Sequence, residues 1–300
     1  MLFSEYYKNW ISLYKEGAVR PVTLKKYYST LAWIKKLCDD LNIEDLTRSR
    51  YQTLLNEYAG THEKQTVADF HHMVKPAVLD AVDEGYVSKD PTRRVTIKGK
   101  PVGEKKLKYL NQYELHKLID VLDLNDRYGQ LIYLGAKTGI RLSEGLGITP
   151  KDLDMENQSL SINKTCDYKN DNAFVPTKNT SSNRKIRLDW QTLNKFYGFI
   201  KDKADDKPVF LEGNKKFYDS TVNDVLKRCC IKADIPVITF HGLRHTHASV
   251  LLFSGVSVPS VSRRLGHSSI ATTQKVYLHI IKEMDNFDND IIMKTLVSLE

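Results

Sequence analysis

Long apolar runs are missing from this 300-residue chain. None approaches the roughly 20 consecutive apolar residues that a helix needs to cross a bilayer. The opening residues, MLFSEYYKNW, put polar and acidic side chains where a signal peptide has a basic stretch followed by an apolar one. A cytoplasmic protein with no membrane partner is expected. Cysteine is scarce: Cys38, Cys166, Cys229 and Cys230 contain no C-x-x-C pair, and adjacent cysteines cannot bridge without strain. That excludes a disulfide framework and predicts reduced thiols. Also missing are a G-x-x-x-x-G-K-[ST] phosphate loop and a G-x-G-x-x-G turn after a strand. No group of carboxylates has the density of a two-metal nuclease site. Neither a cofactor nor a metal is expected.

What is present describes a globular protein suited to a polyanion. Hydrophobic residues make up 41% and charged residues 27% of the chain, the balance of a polypeptide that buries a core. The length suits two domains. The formal charge is +8 and unevenly spread. Lys89, Arg93, Arg94, Lys98, Lys100, Lys105, Lys106 and Lys108 stand against Asp90 and Glu104, whereas beyond Lys282 the balance is acidic, with Glu283, Asp285, Asp288, Asp290 and Glu300 against Lys294. Singly, such lysines are solvated surface or linker residues. As a cluster they suit a phosphate backbone.

Helical periodicity fills the chain up to residue 90. Phe3, Tyr7, Trp10 and Tyr14 recur on one face, and Leu24, Tyr28, Leu31, Ile34, Leu37 and Leu41 on another, with Thr23 the expected N-cap. A third helix follows Thr47 and ends at Gly60; a fourth runs from about Thr61 to Gly85, with Pro76 expected to kink or divide it. Residues 91–107 lose periodicity, gain Gly99, Pro101 and Gly103, and read as a basic linker between a helical domain, 1–90, and a second domain, 108–300. The second domain opens on Asn111 and Glu114, spaced as a capping box. Leu160 and Ile162, then Ile186 and Leu188, alternate with polar residues around turn-like stretches, which predicts a small antiparallel sheet of about three strands. The expected fold class is mainly α with a small antiparallel β-sheet.

Chemistry concentrates in four places. Arg141 follows Thr138-Gly139-Ile140, with Glu144 three residues on to hold its guanidinium. His241 and Arg244 stand three apart, on one helix face, so both can reach one phosphate. His241 and His245 share the spacing of zinc-binding helices, but Gly242 stands where a metalloprotease needs Glu and no carboxylate lies nearby, so metal binding is disfavoured. His245 and His247 read as structural. His267 ends Leu265-Gly266-His267, and Tyr277 follows ten residues later. Arginine presents a planar fork of donors that stays charged and matches phosphate oxygens in pairs, and tyrosine can serve as a nucleophile through a covalent intermediate.

In this order and spacing, Thr138-Gly139-Ile140-Arg141, His241-Gly242-Leu243-Arg244, Leu265-Gly266-His267 and Tyr277 resemble the tyrosine recombinase (phage integrase) family. The resemblance implies a SAM-like helical domain that binds core DNA sites, followed by a tyrosine-recombinase catalytic domain. It implies that Arg141, Arg244 and His267 neutralise charge on the phosphorane, that His241 assists proton transfer at Tyr277, and that Tyr277 forms a 3′-phosphotyrosyl link. It also implies a lysine on a β-hairpin that protonates the leaving 5′-oxygen. Lys178, at the turn in Val175-Pro176-Thr177-Lys178-Asn179, is our choice, with Lys185 as runner-up within the last strand. Double-stranded attachment or core-site DNA, a homotetramer on that DNA, and accessory DNA-bending proteins or an excision factor are the implied partners. The implied activity is site-specific recombination that integrates or excises a mobile element such as a viral genome, without metal or ATP. A type IB topoisomerase and a non-catalytic DNA-binding regulator are the alternatives. The tail beyond Tyr277 and the small helical domain favour the recombinase. An arm-site domain, which many integrases carry ahead of the helical one, is expected to be missing or removed. The apolar stripe Ile291, Ile292, Leu296 and Val297 is expected to dock on a neighbouring protomer.

Overall fold

Aromatic residues at helical spacing build the first part of the protein. The structure, a computed structural model, describes residues 1–101, 109–177, 179–212 and 215–277. Two compact units divide the chain, 1–105 and 106–300. The first contains α1 (Phe3–Tyr14), α2 (Pro21–Leu37), α3 (Arg48–Ala59) and α4 (Lys64–Asp83). On α1, Phe3, Tyr6, Tyr7, Trp10 and Ile11 are all buried, and the Tyr7 and Trp10 rings stack at 5.8 Å. The N-cap of α2 is Arg20, with Pro21 at its start, rather than Thr23; proline presets the helical φ and wastes no donor at that position. Tyr28 faces solvent, and Tyr27 turns inward instead, edge-on to Trp10 at 5.8 Å. Pro76 does not divide α4, which runs without a break through it.

The basic stretch through Lys100 is fastened to this unit. Gln52 on α3 accepts from the Thr96 N–H at 2.8 Å and donates to the Thr96 carbonyl at 2.9 Å, and Arg48 donates to the Arg94 carbonyl. The Lys100 N–H reaches the His62 carbonyl, and Val95 and Ile97 pack on the helical core. Residues 102–108, which include Lys105, Lys106 and Lys108, lie outside the described residues.

The second unit begins with α5 (Gln112–Asp120), whose Asn111–Glu114 capping box forms in both directions. Next come α6 (Arg127–Thr138) and the short α7 (Leu142–Leu146). Strands β1 (Leu153–Asp154), β2 (Ser159–Ile162) and β5 (Arg184–Arg187) make a three-stranded antiparallel sheet in the order β1-β2-β5, while β3 (Lys164–Cys166) and β4 (Phe174–Pro176) form a separate antiparallel pair. The expected small sheet is therefore joined by a second, two-stranded one. Helices α8 (Trp190–Ile200), α9 (Asp219–Lys232), α10 (Phe240–Phe253) and α11 (Val258–Leu265) follow, and residues 270–277 are helical again. α6 is almost wholly buried and packs on α10, α9 and α8. That close approach is possible because Gly135 has no side chain: a Cβ there would come within 2.8 Å of the Phe240 ring. The fold is mainly helical with small antiparallel sheets. Among the described residues no helix is long and apolar enough to cross a membrane.

Candidate active site

Two left-handed turns bring the site together. The first ends α6 at Gly139, whose φ of +68° suits glycine; a Cβ there would stand 2.8 Å from Leu265 Cδ2 and 2.9 Å from the His247 ring. The chain then enters α7 with Arg141 as its N-cap residue. Glu144 closes that cap: its carboxylate accepts from the Arg141 backbone N–H at 2.9 Å and from Arg141 Nη1 at 2.6 Å. Arg184, on β5, donates from Nη2 to the same carboxylate at 3.0 Å. Burial alone would push the Glu144 carboxyl up. The Arg184 charge and hydrogen bond outweigh it, aided by Arg141, and its pKa lies below the usual carboxylate value.

The second left-handed turn ends α11 at Gly266, with φ +69°. There the Gly266 carbonyl accepts from Arg141 Nη2 at 3.5 Å, and Arg184 Nε donates to the Arg264 carbonyl at 2.7 Å.

Arg244 binds the two turns to each other. Its Nη1 donates to the Gly139 carbonyl at 2.8 Å and its Nη2 to the Leu265 carbonyl at 2.7 Å. The side chain comes from α10, whose start is fixed by the Thr239 hydroxyl capping Gly242 N–H and by Asn223 receiving the Phe240 N–H. Only 3% of Arg244 is exposed, and burial, then the nearby Arg141, lower its pKa without discharging it at neutral pH. His241, one turn earlier, retains exposed area, yet enough protein surrounds the ring that desolvation, followed by the Arg244 and Arg141 charges, lowers its pKa.

His267 and Tyr277 complete the group. The His267 Nδ1 shares a 2.7 Å hydrogen bond with Thr273, which lies one turn before Tyr277 in the 270–277 helix. Burial and then Arg244, Arg141 and Arg184 pull its pKa down to about 4, so the ring is neutral at physiological pH. Tyr277 is 2% exposed, and burial pushes its phenol up to about 12 against the opposing pull of Arg244. Its hydroxyl lies 3.1 Å from Nδ1 of His245.

Arg141, His241, His267 and Tyr277 thus all lie within reach of the Arg244 charge. Lys178 lies outside the described residues. The segment around it is tied by the Thr177 hydroxyl donating to Asn183 Oδ1 at 2.8 Å. Lys185 pairs with Ser161 in the sheet and is exposed, on the strand face opposite Arg184 and Ile186. His247 is buried between the Ala136 carbonyl and Arg264 Nε. Three further side chains touch this group: His245, expected to be structural, meets the Tyr277 hydroxyl, Thr273 meets His267 and Arg184 meets Glu144, the last two without any motif signal in the sequence.

A profile of the phage integrase family matches residues 108–284. The chain belongs to the phage integrase family. It is accordingly a tyrosine recombinase, an enzyme that transfers DNA strands. Among sequence relatives, the integrase of Staphylococcus phage L54a is 25% identical over 320 residues, spanning 95% of this chain and 90% of that protein. The ICEBs1 integrase of Bacillus subtilis is 27% identical, over 71% of this chain and 62% of its own length. Among solved structures, the Tn1549 transposon integrase in complex with a circular intermediate DNA superposes with a TM-score of 0.78 at 18% identity, covering 96% of this chain and 99% of that one. A lambda integrase dimer bound to a core site gives 0.69 at 15% identity, over 92% and 95%. At these identities the structural likeness establishes the fold, which extends over both units.

Proposed function

We propose that this integrase cuts and rejoins double-stranded DNA at specific sites of a mobile element, through a 3′-phosphotyrosyl intermediate on Tyr277. The observation that carries this reading is the double anchorage of Arg244. It holds the Gly139 and Leu265 carbonyls together, and its charge reaches Arg141, His267 and the Tyr277 phenol. Each guanidinium keeps further N–H groups for phosphate oxygens. Preorganised donors of this kind stabilise the charge that builds up on a phosphorane without reorganising during the reaction.

The roles follow from chemistry. Arg141 and Arg244 supply positive charge to the non-bridging oxygens. His267 acts as a neutral donor: in the tautomer whose Nδ1 accepts from the Thr273 hydroxyl, the proton sits on Nε2 and is available to a phosphate oxygen. His241, on the exposed rim of the same helix face as Arg244, serves the phosphate or the tyrosine proton. Lys178 protonates the 5′-oxygen as it leaves. The phosphotyrosyl bond preserves the energy of the broken phosphodiester, so a 5′-hydroxyl from another strand reverses the step without ATP.

The first unit, with the 91–107 segment, is the core-site DNA-binding part. Arg48, Lys89, Arg93 and Arg94 outnumber Glu44 and Asp90 around one depression of its surface, a net positive lining suited to backbone phosphates. Relatives from a phage and from a transposon support a mobile-element substrate. A solved lambda integrase tetramer is bound to a Holliday junction, and we extend four-protomer assembly, with accessory DNA-bending or excision proteins, to this chain. The tail stripe proposed to dock on a neighbour lies outside the described residues. Incubation with nicked duplexes carrying candidate attachment sequences tests the reading. Wild type should form a denaturant-resistant covalent adduct and Tyr277→Phe should bind without forming one; an adduct with the phenylalanine variant would remove Tyr277 as nucleophile.

A further inference from the structure

The phenol of Tyr277 must lose a proton as it attacks, and its burial leaves that proton little access to water. A protein group within hydrogen-bond distance can take that proton. Two histidines of α10 are near, one turn apart, with their rings edge-on at 5.0 Å. His241 occupies the exposed rim. His245 is half-buried and turns its ring toward Tyr277, with centroids 5.8 Å apart. The hydroxyl-to-Nδ1 distance of 3.1 Å is within the range a general base needs.

We propose that His245 is a catalytic residue of this enzyme, its Nδ1 taking the phenolic proton of Tyr277 during attack on the DNA phosphorus. The proposal rests on Tyr277 being the nucleophile. His245 is well placed for such a task because its neighbours in the helix cannot shift. Arg244 is held by two carbonyls, and the Thr246 hydroxyl donates to the Gly242 carbonyl and accepts from the Leu110 N–H. Helix α10 thus presents the phosphate-binding guanidinium and the proton acceptor on consecutive residues. The step balances. The O–H proton of Tyr277 passes to His245 as the tyrosyl oxygen bonds to phosphorus. The bond from phosphorus to the 5′-oxygen breaks, and that oxygen leaves as a hydroxyl with a proton from the general acid. In the return step the imidazolium hands its proton back to the departing phenolate.

The test uses full-length protein and the nicked duplex that captures wild type. His245→Ala is expected to slow adduct formation by about 10²–10⁴ while binding the same duplex as wild type does. His245→Asn, which offers a hydrogen-bond acceptor near the Nδ1 position but cannot hold a proton, should be slowed similarly, and it serves in place of the alanine variant should that fail to fold. Replacing Tyr277 by 3,5-difluorotyrosine, a more acidic phenol, should speed the His245 variants at least about tenfold more than it speeds wild type, because a phenol that ionises readily depends less on a base. Wild-type rates in His245→Asn, or a loss that difluorotyrosine does not relieve, would overturn the proposal. So would relief confined to His241→Ala. Tyr277→Phe keeps the two failures apart: an adduct in that variant refutes the nucleophile, whereas its absence together with a normal His245→Asn rate refutes the base alone.

Discussion

Arg184 donates to Glu144 at 3.0 Å across a gap of 40 residues, with side chains 7% and 1% exposed. A strand is thereby tied to the helix that carries Arg141, and the pair works as the mount on which Arg141 is held. Glu144→Gln leaves Arg184 without its counter-charge, and breaking such a buried pair costs about 3–5 kcal/mol. The folded carboxyl is depressed, so its contribution is complete above the unfolded value near 4.3 and is lost as pH falls through the folded value. Urea unfolding should show the gap between wild type and variant narrowing below about pH 4. A gap that stays constant into strong acid would refute this account of Glu144.

Arg141→Ala and Arg244→Ala should each lower the cleavage rate by about 10²–10³, but only the second should damage the fold. Arg141 keeps 30% of its side chain exposed. Loss of Arg244 orphans the buried Gly139 and Leu265 carbonyls, at about 1–3 kcal/mol for each. Thermal melts should rank Arg244→Ala well below Arg141→Ala. Equal melting temperatures would contradict the anchoring role, and a requirement for magnesium in the cleavage step would contradict the metal-free chemistry.

Lys178→Ala should lose about 10²–10⁴ in cleavage rate and recover on DNA whose 5′-bridging oxygen is replaced by sulfur, since a thiolate leaves without a proton. Lys185, on the outer face of β5, should be dispensable on both substrates. Rescue of Lys185→Ala instead would transfer the general acid to that residue.

Acid should loosen the catalytic unit through His247. Burial first, then Arg264, lower its pKa to about 3, and the neutral ring fits its partners, Nδ1 donating to the Ala136 carbonyl and Nε2 accepting from Arg264. Between the unfolded value near 6.5 and the folded one, the unfolded chain binds a proton that the folded chain does not. Stability then falls with decreasing pH by up to about 1.4 kcal/mol per unit. Denaturant titrations from neutral pH down to about 4 should show this slope in wild type and a shallower one in His247→Gln.

Neutralising Lys89, Arg93, Arg94 and Lys98 together should weaken binding to all duplex sequences alike. The log–log salt dependence should flatten by about 0.9 for each phosphate contact removed. Loss of affinity for one sequence alone would mean that these residues read bases.

Local relationships were the legible part of the sequence. Arg141 with Glu144, and Asn111 with Glu114, are each separated by three residues, so helix geometry alone brings them together. Reading failed where a partner comes from elsewhere in the chain. Arg184 looks like any strand arginine until β5 lies beside α7. His245, one residue from Arg244 and one turn from His241, carries no sign in the sequence of what it faces, but the 270–277 helix comes back to meet it. Tyr28 fitted the apolar spacing of α2 as well as Tyr27 did, and only the position of Trp10 decides which ring turns inward.

The hydrogen bonds that shape the phosphate pocket join residues far apart in the chain: Arg244 to Gly139, Arg141 to Gly266, Arg184 to Arg264. No fragment of the catalytic unit contains the pocket. A chain still emerging from the ribosome, with Arg141 already made and Leu265 not yet, carries neither a cradle for DNA nor its reactive phenol. The arrangement therefore exists only once the last helices of this unit close onto the first, and it is lost as soon as they part.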